Sequence, residues 1–227
     1  MGTGMSTDWL AFLLQTADPL FPTGAYAHSL GLEEAVRLGV VSNEKMLCRF
    51  LKQQVIPSLA RFELPFVQKA HAAAQHGSTE ELLALNAELS AWKLAAESRE
   101  ASLQIGGRRL QMLLKIAATP LLEDFARTCG GRAHHAIVCG IQGVAMPLEA
   151  ALMAYLYQSL SGYCSAALKL IRIGQDGCQR VLRECLAFAG DLVKACSDAS
   201  ESPGFFNPML EIASMRHERA FERLFIS

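Results

Sequence analysis

The sequence has almost no net charge, and this lack excludes several classes of partner. Its 21 basic and 22 acidic residues leave a formal charge of −1 at pH 7, which offers no electrostatic footprint for nucleic acid or anionic lipid. Residues 1–9 contain neither a basic segment nor a long apolar run, so we expect no secretory signal. We therefore expect a cytoplasmic protein with no nucleic acid and no membrane among its partners.

The cysteines have no recognisable spacing. There are seven, an odd number, and no C-x-x-C pair occurs. Neither a disulfide framework nor a zinc ribbon has this pattern. A reducing compartment fits the cysteines best.

The common catalytic motifs are also missing. The sequence contains no G-x-x-x-x-G-K-[ST] phosphate loop, no G-x-S-x-G elbow and no D-D-x-x-D metal motif. Carboxylate pairs such as Glu33 and Glu34 are expected at helix starts or on solvated surfaces. We predict that the chain is not an enzyme and binds no cofactor stably, with an all-α metal-dependent enzyme as the alternative.

The apolar residues recur with a helical period, and no run of alternating period is found. We predict an all-α, single-domain bundle of roughly 8–10 helices over residues 1–200. A flexible connector is predicted at residues 197–208. Residues 201–227 are then a linker and a partner-binding tail, called here the C-terminal tail.

Particular residues predict where the helices begin and end. Ser42 or Asn43 is expected to cap one helix and Ser78 another. Pro57 is expected to kink or end the helix that contains it. Residues 176–197 are expected to form one helix.

A membrane protein is a second alternative, because Glu149 is the only formal charge between residues 133 and 168. This length would cross a membrane twice. Several polar residues and a high alanine content make the segment only moderately hydrophobic. Buried helices of a bundle core are therefore the preferred interpretation.

Residues 14–36, called here the signature segment, hold the least ordinary part of the chain. Pro19 and Pro22 fix the backbone, and Gly24 can adopt a positive φ, so a structured loop is predicted. A helix is expected from about Ala27, with Gly39 at its end.

The signature segment also carries a resemblance. FPTGAYAHSLGLEEA, at residues 21–35, is similar to the signature of the UreF family of urease accessory proteins. Three further blocks, at residues 98–114, 145–175 and 213–227, resemble family blocks in the matching order. Together they span nearly the whole chain.

This resemblance implies a function. UreF-like proteins bridge the GTPase UreG and UreD (also called UreH) on apo-urease, and they are required for GTP-dependent nickel insertion. By the resemblance the partners would be UreG, UreD/UreH and apo-urease, with a homodimer in the complex. GTP would act only through UreG, and nickel would at most pass through this chain in transit.

Two groups of residues are predicted to bind partners. The residues of the signature segment are expected to line either a polar surface that meets a partner or a water-filled route for nickel. The alternative is that this segment only turns the chain. In the tail, charged and apolar residues alternate in a stripe that a lone segment cannot bury, so the tail should dock on its own bundle or on another protein. The resemblance implies ordering of the tail against UreD/UreH. The candidates are Asp18, Pro22, Gly24, Tyr26, His28, Ser29 and Glu33, with Arg216, His217, Glu218, Arg223, Leu224 and Phe225.

Arg108 and Arg109 follow two glycines in the middle of a predicted helix. Gly106 and Gly107 are expected to allow close helix packing rather than to cradle phosphate. The two arginines either reach a partner or form a solvated face.

Metal binding has only weak candidates. His135 and Cys139 are four residues apart, which places them on one helix face, and imidazole with thiolate suits nickel or zinc. Further ligands are missing nearby, and His28 is isolated in sequence. A packed cysteine beside a hydrogen-bonded histidine is the alternative.

Overall fold

The computed structural model describes residues 8–198 and 204–227, and the regular elements in these ranges are all helical. The α-helices are α1 (Asp8–Ala17), α2 (Leu32–Arg37), α3 (Glu44–Phe50), α4 (Ile56–Ser58), α5 (Leu64–Gln75), α6 (Thr79–Trp92), α7 (Ala96–Ile116), α8 (Pro120–Thr128), α9 (His135–Gly143), α10 (Leu148–Leu170), α11 (Gln175–Leu186), α12 (Ala189–Asp198) and α13 (Pro208–Glu218). A 3₁₀ turn spans Ala25–Ala27, and π-helical turns span Leu51–Val55 and Leu59–Glu63. The all-α prediction is confirmed. Residues 199–203 of the predicted connector lie outside the described residues.

Side chains cap two helices where the sequence predicted. The Asn43 side chain accepts from the backbone N–H of Met46 at 3.0 Å, and Ser78 accepts from that of Glu81 at 3.2 Å. The single helix predicted over residues 176–197 is instead two helices, α11 and α12. Both pack against α10, and α11 also contacts α3, whereas α12 also contacts the second π turn.

Two prolines lie inside a helical stretch that continues from residue 44 to residue 75. Proline lacks an N–H and collides with the carbonyl four residues back, and a wider π turn precedes each proline. Pro57 therefore does not end its helix. Pro65 cannot donate to the carbonyl of Arg61, which accepts instead from the N–H of Gly204 at 3.3 Å.

Helix α9 lies at the centre of the bundle, between α5, α7 and α10. A methyl group on Gly140 would lie 2.5 Å from the Cβ of Ala70 and 2.6 Å from the carbonyl oxygen of Val67. A methyl group on Gly106 of α7 would collide with the carbonyl of Ala133. The prediction that the glycines of α7 allow close packing is confirmed.

The apolar stretch at residues 133–168 forms α9 and much of α10, and it supplies the interior of the bundle. Among the described residues, we find no helix with both the length and the apolar character that a membrane crossing requires.

Candidate functional site: the signature segment and the C-terminal tail

Between α1 and α2, residues 18–31 of the signature segment form a loop that turns sharply before α2. The Asp18 carboxylate accepts from the backbone N–H of Leu20 at 2.7 Å. Leu30 and Gly31 have φ values of 52° and 88°. These left-handed conformations prevent a helix from starting earlier, so α2 begins at Leu32 and not near Ala27 as predicted.

The end of the tail pairs with this loop through the main chain. The N–H of Ile226 donates to the carbonyl of Ala27 at 2.8 Å. The main-chain oxygen of Ser227 accepts from the N–H groups of Ser29 and Leu30. In addition, the Ser227 hydroxyl lies 2.7 Å from Nδ1 of His28. The loop before α2 and the end of the tail are therefore joined by hydrogen bonds.

A buried cluster of charged groups fastens the tail. His217 is 1% exposed, with Nε2 lying 2.9 Å from Glu33 and Nδ1 lying 2.7 Å from Glu97. Each ring nitrogen of His217 therefore contacts a different carboxylate, one on α2 and one on α7. The Glu33 carboxylate also accepts from the backbone N–H groups of Leu224 and Phe225, at 2.8 and 3.0 Å.

A second carboxylate of the signature segment joins α2 to α13. The buried Glu34 side chain accepts from Arg37 at 2.6 Å and from Arg216 at 2.8 Å. The hydrogen bond from Arg37 is the main reason that the pKa of Glu34 lies below its ordinary value, with a further hydrogen bond from Arg216. Glu33 and Glu34 do occupy the first turn of a helix, as the sequence indicated, but they hold the tail rather than face solvent.

Apolar side chains around this junction are exposed. Tyr26, Leu224 and Ile226 are 72%, 62% and 54% exposed, and the pairing of Ile226 with Ala27 keeps them close together. Contiguous exposed apolar patches commonly mark a protein interface. We call this surface the junction surface.

The predicted partner-binding residues divide into two groups. One group is exposed and available to a partner: Asp18, Pro22, Tyr26, Arg108, Arg216, Glu218, Arg223 and Leu224. The other is buried or half-buried and shapes the framework: Gly24, His28, Ser29, Glu33, Arg109, His217 and Phe225. The exposed residues are accessible in the folded chain without rearrangement.

The adjacent arginines of α7 have opposite environments. Arg108 is exposed, and its guanidinium packs where a side chain on Gly24 would lie. Arg109 is 1% exposed and donates to Gln142 and Gln158, each at 2.8 Å. The prediction that Arg109 lies on a solvated face is therefore wrong. Its hydrogen bonds join α7 to α9 and α10.

A cavity of about 440 Å³ lies beside the junction, between the bundle and the tail. His28 and His135 both line it, and Nε2 of each is buried without a hydrogen-bond partner. Burial lowers the pKa of His28 to about 4, with help from Arg108. Burial and then Arg109 lower the pKa of His135 to about 3. Both imidazoles are thus neutral near pH 7 and have a ring nitrogen free for a ligand or water.

Glu63 forms a buried polar network on the cavity wall. Its carboxylate accepts from Lys93 at 2.6 Å and from the hydroxyl of Tyr155 at 2.5 Å. Burial opposes ionisation of Glu63, but the attraction and hydrogen bond of Lys93 leave its pKa below the ordinary value. Glu63 is therefore an ionised group already committed to partners.

The structure brings together two of the three weak metal candidates. Cys139 is absent from the cavity wall, and burial raises the pKa of its thiol. Within residues 8–198 and 204–227, no cluster of three or more His, Cys, Asp or Glu side chains has a geometry that would hold a metal ion.

Sequence reasoning missed Glu97, Glu63, Lys93 and Ser227. Glu97 directly precedes one of the family-like blocks, but nothing in its spacing indicates His217 as a partner 120 residues away. Ser227 closes the family-like block at residues 213–227, which could have drawn attention to it.

The chain is similar over most of its length to members of one known protein family. The UreF family model matches residues 41–186. The chain is 33% identical to the urease accessory protein UreF of Paenarthrobacter aurescens over 98% of this chain and 100% of that protein. It is 34% identical to the UreF of Azoarcus sp. over 95% and 94%, and 33% identical to that of Dechloromonas aromatica over 96% and 97%. With a match of this extent, the chain belongs to the UreF family of urease accessory proteins.

Proposed function

We propose that this protein bridges the GTPase UreG and UreD/UreH on apo-urease, so that GTP hydrolysis by UreG drives nickel into the urease active site. It acts without catalysis of its own and holds no resident cofactor. GTP is bound by UreG alone. The site of action is the cytoplasm, where apo-urease is matured.

The junction surface is the observation that carries this proposal. Segments from the two ends of the chain build it, and polar contacts at Glu33 and Glu34 fix its shape. Tyr26 and Leu224 project from it into solvent. Rigid aromatic and aliphatic anchors with a charged rim are typical of protein-binding surfaces.

Nickel in this proposal is cargo in transit. Neutral imidazole nitrogens are suitable ligands for Ni²⁺, and the free Nε2 atoms of His28 and His135 supply them on one cavity wall. The protein is proposed to act as a homodimer within the complex, with two copies of the junction surface.

The proposal is tested by copurification with UreD and UreG, followed by measurement of the nickel content of urease. The double variant Tyr26→Ala/Leu224→Ala removes two exposed anchors and leaves the framework bonds untouched. We expect at least about tenfold weaker retention of one partner, since interface anchors of this type contribute about 2 kcal/mol or more. Urease nickel should fall in parallel.

Ile116→Ala is the matched control. Ile116 is an exposed apolar residue at the end of α7. Glu97, at the start of that helix, contacts the tail, so Ile116 lies roughly 30 Å from the tail contact. Equal loss of partners in the control and the double variant would contradict a specific junction surface. Normal nickel loading by the double variant would contradict the bridging function.

A further inference from the structure

Four buried cysteines come together away from the junction surface, where α11 packs against α3 and α10. They are Cys48 on α3, Cys164 on α10, and Cys178 and Cys185 on α11, and all four are free thiols. They do not form a metal site, since the described residues contain no group of three or more such ligands with suitable geometry. Their chemistry is therefore that of thiols beside thiols.

Helices α3 and α11 run side by side in the same direction. The Arg180 guanidinium donates two hydrogen bonds to the Glu44 carboxylate, each at 2.8 Å. Two turns further along α3, the Lys52 ammonium lies 5.7 Å from the centre of the Phe188 ring, just beyond α11. Both contacts join residues with the same separation in sequence, so the two helices are parallel and in register.

Cys48 lies midway between these two contacts, which brings it level with Cys185. The two thiols are hydrogen-bonded to each other. A disulfide requires two cysteines whose side chains point towards each other, and this pair meets the requirement. Cys178 differs, because its thiol donates to the backbone carbonyl of Cys164 at 3.3 Å.

The two thiols differ in their access to solvent. A cavity of about 480 Å³, open to solvent, has Cys48 on its wall together with Lys52 and Glu184. Cys185 is not among the lining residues and is 2% exposed. A small reagent therefore reaches Cys48 first, and Cys185 lies behind it.

Burial of the pair sets the pace of its reactions. Burial raises the pKa of the Cys48 thiol, and it raises the pKa of Cys185 to about 12. Only a small fraction is thiolate near pH 7, so attack on an oxidant is slow. Once Cys48 is oxidised, the second step is fast, because Cys185 is already in contact with it.

We propose that Cys48 and Cys185 are a site of reversible oxidation, at which a peroxide produces a disulfide between α3 and α11. The Cys48 sulfur attacks one oxygen of hydrogen peroxide, the O–O bond breaks, and the products are a sulfenic acid and water. The Cys185 sulfur then displaces the hydroxyl group from Cys48, so the S–S bond forms and a second water leaves. The two thiols together lose two protons and two electrons, which reduce the peroxide.

The disulfide links an early helix of the bundle to a late one. A cross-link between positions so far apart in sequence restricts the unfolded chain. The oxidised protein is therefore more resistant to unfolding than the reduced one, and a dithiol reductant reverses the effect. The pair lies outside the junction surface, so this inference does not depend on the proposed function.

The experiment treats the isolated full chain with hydrogen peroxide at pH 8. Free thiols are then alkylated in denaturant, and the unreduced protein is digested and mapped by mass spectrometry. We expect most chains to carry a link between Cys48 and Cys185 and to lose it in dithiothreitol. The midpoint of urea unfolding should be higher for the oxidised chain than for the reduced chain.

The test variant is Cys185→Ala, and the matched control is Cys178→Ala, which removes another buried thiol from α11. In Cys185→Ala we expect Cys48 to carry sulfenic or sulfinic acid, and the urea midpoint to be unaffected by peroxide. Cys178→Ala should form the link and show the higher midpoint, as the unmodified protein does. Circular dichroism of each variant before oxidation checks that its helices are intact.

Three outcomes in the unmodified protein would overturn the proposal, and they hold even if a variant does not fold. One is that peroxide oxidises single thiols without forming a link. Another is that the main link joins Cys48 or Cys185 to a different cysteine, such as Cys164. The last is that the link forms only in urea, which would mean that the thiols do not meet in the folded protein.

Discussion

Nε2 of His217 lies 2.9 Å from the carboxylate of Glu33, although 184 residues separate them in sequence. This contact joins two of the stretches that resemble the UreF family, the signature segment and the end of the chain. The folded position of the tail therefore depends on the position of α2.

Removing the imidazole should release the tail. In His217→Leu, the buried carboxylates of Glu33 and Glu97 lose the hydrogen-bond partner between them, and removing one partner of a buried contact to a charged group costs about 3 kcal/mol. We expect hydrogen exchange at residues 219–227 to accelerate by about a hundredfold. Exchange in α9 should remain slow, and acceleration there as well would contradict local release.

The glycine contacts of the core should be intolerant of a methyl group. Gly106→Ala forces its new methyl into the backbone at Ala133, so we expect a loss of about 3 kcal/mol or more in urea denaturation. Gly162→Ala in α10 is the control, because nothing lies within 4 Å of the added methyl. It should be neutral or stabilising by up to about 1 kcal/mol. Equal effects of the two substitutions would refute the close-packing explanation.

The stability of the protein should fall in acid through its buried histidines. The pKa of His135 is about 3 in the folded state because of burial, against 6.5 for a free histidine. Between these values the unfolded state binds more protons, so stability is lost as the pH falls from about 6.5 towards 3. His28 and His134, with pKa values of about 4 and about 3, act in the same direction.

The His135→Gln variant isolates the contribution of His135 to the pH dependence of stability. His135→Gln cannot be protonated, so the slope of unfolding free energy against pH should decrease by up to about 1.4 kcal/mol per pH unit between pH 6 and 4. His76→Gln, at an exposed position, should leave the slope unchanged. An unaltered slope in His135→Gln would show that His135 does not remain neutral in the folded protein.

Replacing each arginine of α7 by methionine should affect stability very differently. Arg109→Met leaves the side chains of Gln142 and Gln158 without their donor, so we expect a loss of about 2–4 kcal/mol in urea denaturation. Arg108→Met, at an exposed site, should change stability by less than about 0.5 kcal/mol. If Arg108 contacts a partner, only this variant should weaken copurification at full stability. The reverse pattern would contradict the burial of Arg109.

Local patterns in the sequence determined much of the fold. Apolar periodicity gave the all-α class, and the caps at Asn43 and Ser78 were readable because capping needs only residues three positions apart. The glycines of α7 were readable as close packing. Local patterns did not predict that the helix continues past Pro57, because the π turn that accommodates this proline depends on how the whole stretch packs.

Local sequence patterns could not predict the contacts between the signature segment and the tail. The sequence by itself determined a helical chain with a proline-glycine loop, a charged and apolar tail, and a family resemblance. Only the tertiary structure decided that Glu33 and Glu97 meet at His217, that Arg109 is interior while Arg108 is not, and that His28 and His135 share a cavity. The physical reason is that these contacts join residues 30 to 200 positions apart, and their partners are fixed by the packing of helices around α9 rather than by any spacing along the chain.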